Sequence, residues 1–261
     1  MRTVTATRYV TPFREGGSLP GLVEADDDGL YVVKFRGAGQ GDKALVAELV
    51  TGELARASGL QVPEIVLVEL DAAFGRAEPD PEIRELLAAS TGLNLALDYL
   101  PGAAGFDPVA RPAPLADLAS RVVLFDAFVL NVDRTPRNPN LLCWHRALWL
   151  IDHGASLYFH HGWRPDDALA MSDSPFPDVR DHVLLPWATT LAASAEALGR
   201  ALDDATIDRV LADLPEAWLA GDGGWGGAGV QRAAYAAWLG ARRAALPILL
   251  QEAERARARH V

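Results

Sequence analysis

Apolar residues in the first hundred positions fall into short runs separated by turns, and many of them are β-branched or aromatic. Such runs are typical of strands. We therefore predict extended segments at 4–7, 21–24, 30–35, 64–70 and 94–100. The apolar positions of residues 43–58 instead fit a helix that Gly59 caps, and a short helix is predicted at 82–89. The pattern indicates a sheet with one main helix.

The pattern changes after Pro101-Gly102. Successive segments predict a buried helix, a polar loop, a hairpin, an irregular region and a run of helices: 115–130, 131–139, 141–151, 160–188 and 189–261, the last interrupted by a glycine-rich stretch at 221–229. The predicted fold class is therefore α+β with two lobes. We expect an N-terminal lobe at 1–100, built on an antiparallel sheet, and a mostly helical C-terminal lobe at 101–261.

Composition excludes several classes of protein. Half of the 261 residues are hydrophobic and 23% are charged, which indicates a globular chain. No apolar run approaches the ~20 residues of a membrane span, and the first residues lack the apolar core of a signal peptide. Cys143 is the one cysteine, so neither an internal disulfide nor a cysteine zinc site is possible. We therefore expect a cytoplasmic protein that does not enter membranes.

Charge narrows the candidate partners and points to particular residues. The net charge of -11 argues against direct nucleic-acid binding but leaves room for a local nucleotide site. Among 24 Lys and Arg residues, only Lys34 and Lys43 are lysine. The four asparagines are Asn94, Asn131, Asn138 and Asn140. In a chain that uses arginine for positive charge, a retained lysine or asparagine marks a place where side-chain chemistry is a candidate reason.

The polar loop after the buried helix holds candidate catalytic residues. Asp133 and Asn138 lie five residues apart on this loop, so both can point into one cleft. A carboxylate can orient a hydroxyl and accept its proton, and an amide oxygen can ligate Mg²⁺. Asp152 ends an apolar strand and precedes His-Gly, which makes it a second oxygen ligand. These residues predict Mg²⁺ beside a nucleophilic oxygen, whereas Asn140 is either a second metal-loop residue or a turn former.

A lysine on a strand supplies the opposite charge. Lys34 lies between Val33 and Phe35, where burial without an anion would be costly. Glu48, on the following helix, is a natural ion-pair partner, and Glu53, on another helix face, competes with it. A lysine held by a glutamate and directed at phosphates is the arrangement by which protein kinases hold ATP. The order strand Lys, helix Glu, Asp with Asn five residues on, and Asp before Gly agrees with that arrangement.

The sequence resembles the HipA-like kinases over most of residues 14–160, and most closely a compact branch that carries only the kinase core. The motifs that carry the resemblance are Tyr31-Val-Val-Lys34-Phe, Ala47-Glu48 through Leu54-Ala55 to Gly59-Leu60 and Pro63, Asn131-Val-Asp133-Arg-Thr-Pro-Arg-Asn138, and Ile151-Asp152-His-Gly154. The resemblance implies a two-lobed protein-kinase-like fold that binds ATP and Mg²⁺ between its lobes and transfers phosphate to a hydroxyl.

The same resemblance implies a role for each motif residue. Lys34 would contact the α- and β-phosphates and Glu48 would hold it, Asp133 would be the catalytic base, and Asn138 and Asp152 would bind Mg²⁺. The backbone of a hinge segment, Asp98-Tyr99-Leu100, would meet adenine. In better-known members the acceptor is a protein serine, and we expect a protein Ser/Thr here.

The chain departs from the family in its loops. Arg134 and Arg137 stand where many relatives have His and Lys, and Arg137 is a candidate for the loop cation. The glycine-rich candidates for covering the phosphates are 16–18 and 37–41, and the second lacks the Gly-Lys-Ser/Thr that ends a P-loop. Two alternatives remain: a small-molecule kinase of the same fold, and a nucleotide-binding pseudokinase that acts as an interaction module. The sequence identifies no regulatory protein partner.

Overall fold

Eight strands and eight α-helices lie in the part of the chain that the computed structural model describes, residues 1–13, 19–39, 41–110, 113–219 and 224–259. The strands are β1 (Thr3–Pro12), β2 (Gly21–Ala25), β3 (Leu30–Lys34), β4 (Ile65–Leu70), β5 (Gly92–Asp98), β6 (Ala104–Gly105), β7 (Leu141–Trp144) and β8 (Ala147–Leu150). The helices are α1 (Asp42–Ala57), α2 (Pro81–Ala89), α3 (Ala116–Val129), α4 (Leu191–Ala201), α5 (Asp204–Ala212), α6 (Glu216–Leu219), α7 (Ala228–Ala244) and α8 (Leu246–Arg257).

These elements confirm the predicted α+β class, with a sheet lobe followed by a helical lobe. The irregular region predicted at 160–188 contains short 3₁₀ helices at Tyr158–Gly162, Pro165–Asp167, Pro177–Asp181 and Leu185–Trp187. No helix in the described residues is both long and apolar enough to cross a membrane.

The first five strands close into a barrel in the order β1-β2-β3-β5-β4. The neighbours β1–β2, β2–β3, β3–β5 and β5–β4 are antiparallel, as predicted. Closure comes from a pairing that the sequence pattern did not predict, in which β1 runs parallel to β4 and Thr3 pairs with Leu67. The closed barrel leaves none of these five strands as an open edge.

Alternation along β3 determines where its lysine points. Val33 is fully buried and belongs to the apolar core of the barrel, together with Val23 and Val66. Because successive side chains on a strand point to opposite faces, Lys34 lies on the outer face of the barrel. Helix α1 covers that face, so a charged side chain on β3 can reach a charged side chain on α1.

Helix α1 packs between the barrel and the helical lobe. Its apolar residues Leu49, Val50 and Leu54 are fully buried in the larger of the two hydrophobic cores. Helices α5 and α6 return from the helical lobe to pack against it. Helix α1 is therefore in contact with elements of both lobes.

The buried helix α3 leads directly into the candidate catalytic loop. It ends at Val129, and the next residue, Leu130, caps it with a φ of 56°, in the left-handed region. The guanidinium of Arg242, on α7, donates hydrogen bonds to the carbonyls of Ala127 (2.6 Å) and Phe128 (3.1 Å), which are among the last carbonyls of the helix. The end of α3, and hence the start of the loop, is fixed by the helical core.

Candidate active site

Lys34 meets two carboxylates in a cleft between the lobes. Its Nζ lies 2.5 Å from Oδ1 of Asp152 and 3.7 Å from Oε2 of Glu48. The Lys34 side chain is 13% exposed and that of Glu48 is 1% exposed, whereas that of Asp152 is 40% exposed. We call Lys34, Glu48, Asp152 and the adjoining His153 the cleft cluster. Lys34 and Asp152 are 118 positions apart in the chain, and their contact was not predicted from the sequence.

The electrostatics of the cleft cluster keep Lys34 and Glu48 charged. Burial by itself lowers the pKa of Lys34, but attraction to Glu48 and Asp152 outweighs burial and raises it. For Glu48, burial raises the pKa, and attraction to Lys34 together with hydrogen bonding from His153 outweighs it and lowers the pKa to about 2. A positive lysine and a negative glutamate therefore face each other at neutral pH.

Glu48 also holds the loop that carries Asp152. The backbone N–H of His153 donates to Oε2 of Glu48 at 2.8 Å, and the His153 ring is fully buried. The alternative partner, Glu53, lies 3.5 Å from Arg56 on its own helix. The geometry therefore pairs Glu48, and not Glu53, with the strand lysine, and it makes Glu48 a link between α1 and the loop after β8.

The backbone around Asp152 is constrained. Asp152 has a φ of 55°, in the left-handed region that non-glycine residues seldom adopt. Immediately before it, the N–H of Ile151 donates to the carbonyl of Asn140 at 3.1 Å. That bond ties the loop of Asp152 to the loop of Asp133, and such local strain in a tied loop is frequent at functional sites.

Asp133 is held by asparagines of its own loop. Its Oδ2 accepts hydrogen bonds from the side-chain amides of Asn138 (2.8 Å) and Asn140 (3.2 Å). Its backbone N–H donates to Oδ1 of Asn131 at 3.2 Å. The sequence left the role of Asn140 open. In the structure, its side-chain amide donates to Asp133 and its backbone carbonyl accepts from Ile151. Three of the four asparagines therefore act on one aspartate.

The two loop arginines have different surroundings. Arg134 is 1% exposed and donates through Nε to Oδ2 of Asp126 at 2.5 Å, so its charge faces the interior of the helical lobe. Arg137 is exposed. The sequence reasoning missed Asp126, although an acid within the apolar run Val122–Val129 was a signal that a buried partner must exist.

Oxygen atoms suited to Mg²⁺ remain available on the predicted metal ligands. Asn138 directs its amide nitrogen at Asp133, which leaves its carbonyl oxygen for another partner. Asp152 directs Oδ1 at Lys34 and keeps Oδ2. A carboxylate oxygen and an amide oxygen are the ligands that Mg²⁺ accepts in proteins. The chemistry of these two side chains is therefore compatible with a divalent cation such as Mg²⁺.

Two of the three predicted hinge residues already use their backbone N–H groups. Asp98 donates to the carbonyl of Glu64 at 2.8 Å, and Tyr99 donates to the carbonyl of Leu30 at 2.9 Å. Among the described residues, the N–H of Leu100 has no protein acceptor. Burial and the neighbouring Glu64 raise the pKa of the Asp98 carboxyl. Asp98 and Leu100 both line a cavity of about 430 Å³ that is distinct from the one at Lys34.

A cavity of about 420 Å³ opens beside the cleft cluster. Lys34, Glu48 and Asp152 line it, together with Ala38 and Gly39 from the glycine-rich segment 37–41. The other glycine-rich candidate, at 16–18, lies outside the described residues.

Lys43 has a partner that the sequence did not indicate. Its Nζ donates to the carbonyl of His160 at 2.7 Å, across the interlobe boundary. The first turn of α1 is therefore attached to the segment that follows Asp152.

Known proteins resemble this chain in sequence pattern and in fold. The sequence model of the HipA-like kinase family matches residues 7–225. No curated protein gives a significant match. Among solved structures, the Helicobacter pylori proinflammatory kinase CtkA superimposes with a TM-score of 0.63 over 97% of this chain and 98% of its own, at 12% identity. A Golgi casein kinase superimposes with a TM-score of 0.50 over 97% of this chain and 73% of its own, also at 12% identity. At such identity the two structures show the shared fold.

Proposed function

The chain belongs to the HipA-like kinase family, and on that premise we propose that it transfers the γ-phosphoryl group of ATP to the hydroxyl of a protein serine or threonine. One observation carries the proposal: the strand lysine Lys34 lies 2.5 Å from Asp152 and 3.7 Å from Glu48. A lysine directed by a helix glutamate toward a metal-binding aspartate is the arrangement that positions phosphates for transfer. We place the boundary between the nucleotide-binding lobe and the helical lobe at 100/101.

Each residue of the site has a distinct task in this proposal. Lys34 binds the α- and β-phosphates, Glu48 directs it, and Asn138 and Asp152 hold Mg²⁺, which when bound neutralises charge on the phosphates. The free N–H of Leu100 donates to adenine. These residues contribute mainly positioning and electrostatic stabilisation.

Asp133 acts on the acceptor. Its Oδ2 is occupied by Asn138 and Asn140, which leaves Oδ1 to accept a hydrogen bond from the acceptor hydroxyl. As the acceptor oxygen bonds to the γ-phosphorus, the bond from that phosphorus to the β,γ-bridging oxygen breaks, ADP leaves, and Asp133 takes the hydroxyl proton. The named acceptor of one structural neighbour, casein, is a protein, which supports a protein acceptor here.

Binding and transfer, measured together, test the proposal. We would measure Mg²⁺-dependent ATP binding, and then transfer of labelled γ-phosphate in a cell lysate, for the wild type, Asp133→Ala and Asp152→Asn. We expect protein-bound label from the wild type and a loss of about 10²–10⁴-fold in Asp133→Ala, the contribution of a general base. Asp152→Asn should weaken metal-dependent ATP binding. Exposed Asp166 provides the matched control, and Asp166→Ala should behave as the wild type.

The alternatives give different results in the same experiment. Label in the small-molecule fraction alone would indicate a small-molecule kinase of this fold. ATP binding without any transfer would indicate a pseudokinase that acts as an interaction module. Equal labelling by the wild type and Asp133→Ala would remove Asp133 as the base, and undetectable ATP binding by the wild type would overturn the kinase proposal.

A further inference from the structure

Four polar side chains meet beneath the candidate catalytic loop, away from the cleft. Asp126, on α3, is fully buried and accepts hydrogen bonds from Nε of Arg134 (2.5 Å), Nε2 of His182 (2.9 Å) and Nδ2 of Asn131 (3.0 Å). We call Asp126, Asn131, Arg134 and His182 the anchor cluster. Its members come from a helix, from the loop itself and from the irregular region near the 3₁₀ helix Pro177–Asp181.

The charge states of this cluster follow from its surroundings. Burial raises the pKa of Asp126, but attraction to Arg134 and a hydrogen bond from His182 outweigh burial and hold the pKa well below its usual range. Burial lowers the pKa of His182. The N–H of Leu184 donates to Nδ1 of His182 at 3.0 Å, so the ring proton must lie on Nε2. A neutral histidine therefore donates to an ionised aspartate, and a single tautomer satisfies both contacts.

The anchor cluster reaches Asp133 along two short paths. Asn131 donates to Asp126 with its amide nitrogen and accepts the backbone N–H of Asp133 with its amide oxygen. Arg134 donates through Nη1 to the carbonyl of Asn140, and the Asn140 amide donates to Oδ2 of Asp133. Both the backbone and the carboxylate of Asp133 are thus held by residues whose contacts lead back to Asp126.

The helical lobe is attached to the same point. The N–H of Val183 donates to the carbonyl of Arg134 at 3.0 Å, next to the contact of His182 with Asp126. Two successive residues before α4 therefore hold the loop. Val183 binds the loop backbone at Arg134, and His182 binds Asp126. A contribution to stability does not by itself account for this cluster, because a buried ion pair can often be replaced by apolar residues without a loss of stability.

We propose that Asp126, Arg134 and His182 are positioning residues for phosphoryl transfer, which fix the direction of the Asp133 carboxylate without touching ATP or the acceptor. The inference rests on the proposed role of Asp133 as the base. The inference assigns nucleotide binding and acceptor-side positioning to different clusters. The cleft cluster binds nucleotide, and the anchor cluster sets the geometry of the acceptor side, so that damage to the anchor cluster should lower turnover and spare nucleotide binding.

Variants of His182 and Arg134 test this separation. Initial rates of γ-phosphate transfer into a fixed amount of cell lysate, measured over a range of ATP concentrations, give apparent kcat and KM for ATP. We expect His182→Ala to lower kcat by about 10–100-fold, a geometric effect smaller than loss of the base, with less than a twofold change in KM. His182→Gln should recover part of kcat because its amide can donate to Asp126. Arg134→Lys, which keeps the charge and loses the forked contact, should resemble His182→Ala.

Ile207, a residue of α5 that is 1% exposed and distant in the chain from the loop, supplies the structural control. Ile207→Ala should lower stability and leave kcat unchanged below its unfolding temperature. Hydrogen exchange adds a readout that needs no activity: the peptide spanning 131–140 should exchange faster in His182→Ala and at the wild-type rate in Ile207→Ala. Absence of transfer by the wild type would be a failure of the proposed function, and exchange would still test the anchor. Wild-type kcat and wild-type exchange in His182→Ala and Arg134→Lys would overturn the inference.

Discussion

The cleft cluster and the anchor cluster use the same kinds of side chain and differ in how completely these are satisfied. Each has a buried carboxylate, a cation and a histidine. In the anchor cluster, both oxygens of Asp126 and both ring nitrogens of His182 have hydrogen-bond partners. In the cleft cluster, Oε1 of Glu48 and both ring nitrogens of His153 have none among the described residues, although His153 Nδ1 lies 3.4 Å from that oxygen.

The difference lies in the carboxylates and the histidines, since Nη2 of Arg134 in the anchor cluster also has no partner among the described residues. Buried polar groups in folded proteins are almost always hydrogen-bonded, so exceptions call for a cause. In the cleft, a solvent-exposed Asp152 and unsatisfied neighbours lie next to a cavity that a nucleotide phosphate and a metal could fill. Beneath the loop, the aspartate and the histidine already have their partners. On the proposed function, the cleft cluster would change its contacts when nucleotide binds, and the anchor cluster would keep them.

The largest expected effect is the loss of stability when the anchor cluster is broken. Arg134→Met should lower the free energy of unfolding by about 3–5 kcal/mol, because it leaves the Asp126 charge buried and unpaired. Lys34→Met should cost less, about 1–2 kcal/mol, since the Lys34 side chain is 13% exposed against 0% for Arg134 and Asp152 can turn to water. Urea unfolding measures both. The double variant Asp126→Asn/Arg134→Met should recover part of the loss, and equal losses in the two single variants would erase the contrast.

The next effect concerns activity, for which we expect the larger loss when the cleft cluster is broken. Lys34→Met should lower kcat/KM for ATP by about 10²–10³-fold, the range expected when a preorganised electrostatic contact is lost. Lys34→Arg should recover little, because the guanidinium keeps the charge but not the reach and shape of an ammonium. Steady-state transfer of labelled γ-phosphate measures the effect. Full activity in Lys34→Arg would show that Lys34 does not hold the phosphates.

Ligand binding should stabilise the protein through the cleft cluster alone. At 100 times its dissociation constant, Mg²⁺-ATP should add about 2.7 kcal/mol to the free energy of unfolding. Thermal unfolding with and without Mg²⁺-ATP measures this. We expect Asp152→Ala to lose most of the metal-dependent increment, and His182→Ala to retain it from a lower starting stability. Loss of the increment in His182→Ala would show that the two clusters are coupled.

The smallest effect is the acid dependence of stability. The pKa of Asp126 is lower in the folded protein than in the unfolded chain, so its contribution is present above about pH 4, the unfolded value, and is lost as the pH falls toward the folded value. Asp126→Asn should therefore flatten the fall of stability below pH 4 by at most ~1.4 kcal/mol per pH unit. Urea unfolding from pH 5 to pH 3 measures the slope. An unchanged slope would mean that Asp126 is not ionised in the fold.

Glu48→Gln extends the same comparison to the cleft. The pKa of Glu48 is about 2, below the ordinary value of 4.5. Glu48 therefore contributes to stability above pH 4.5, and this contribution is lost as the pH falls toward 2. We expect a flatter acid limb in this variant too. A flatter limb in only one of the two variants would identify the cluster whose carboxylate is ionised at neutral pH.

Much of the fold follows from local patterns in the sequence. The helix predicted at 115–130 spans Ala116–Val129, and the hairpin predicted at 141–151 consists of β7 and β8. Such elements are readable because their periodicity and turn residues are local. Barrel closure was not predicted, because the parallel pairing of Thr3 with Leu67 joins strands that are not consecutive and leaves no local pattern.

The site divides in the same way. The sequence predicted Glu48 as an ion-pair partner of Lys34, because each stands at a recognisable position on a helix or a strand, whereas the contact of Lys34 with Asp152 was not predicted. It did not predict that Lys43 would reach His160, 117 residues away. Nor did it predict that His182 would meet Asp126, since a buried acid shows that a partner exists without showing which residue it is.

The pairing of β1 with β4, which closes the barrel, has a consequence for folding during synthesis. Residue Thr3 leaves the ribosome more than sixty positions before its partner Leu67. At about 5–20 residues per second, this delay lasts roughly 3 to 13 seconds. During that time β1 can form its hairpin with β2, but its other edge has no neighbour, and an unpaired strand edge is a site of wrong pairing. Synthesis at a slower rate would lengthen this exposed interval, and the yield of folded protein from cells should depend on it.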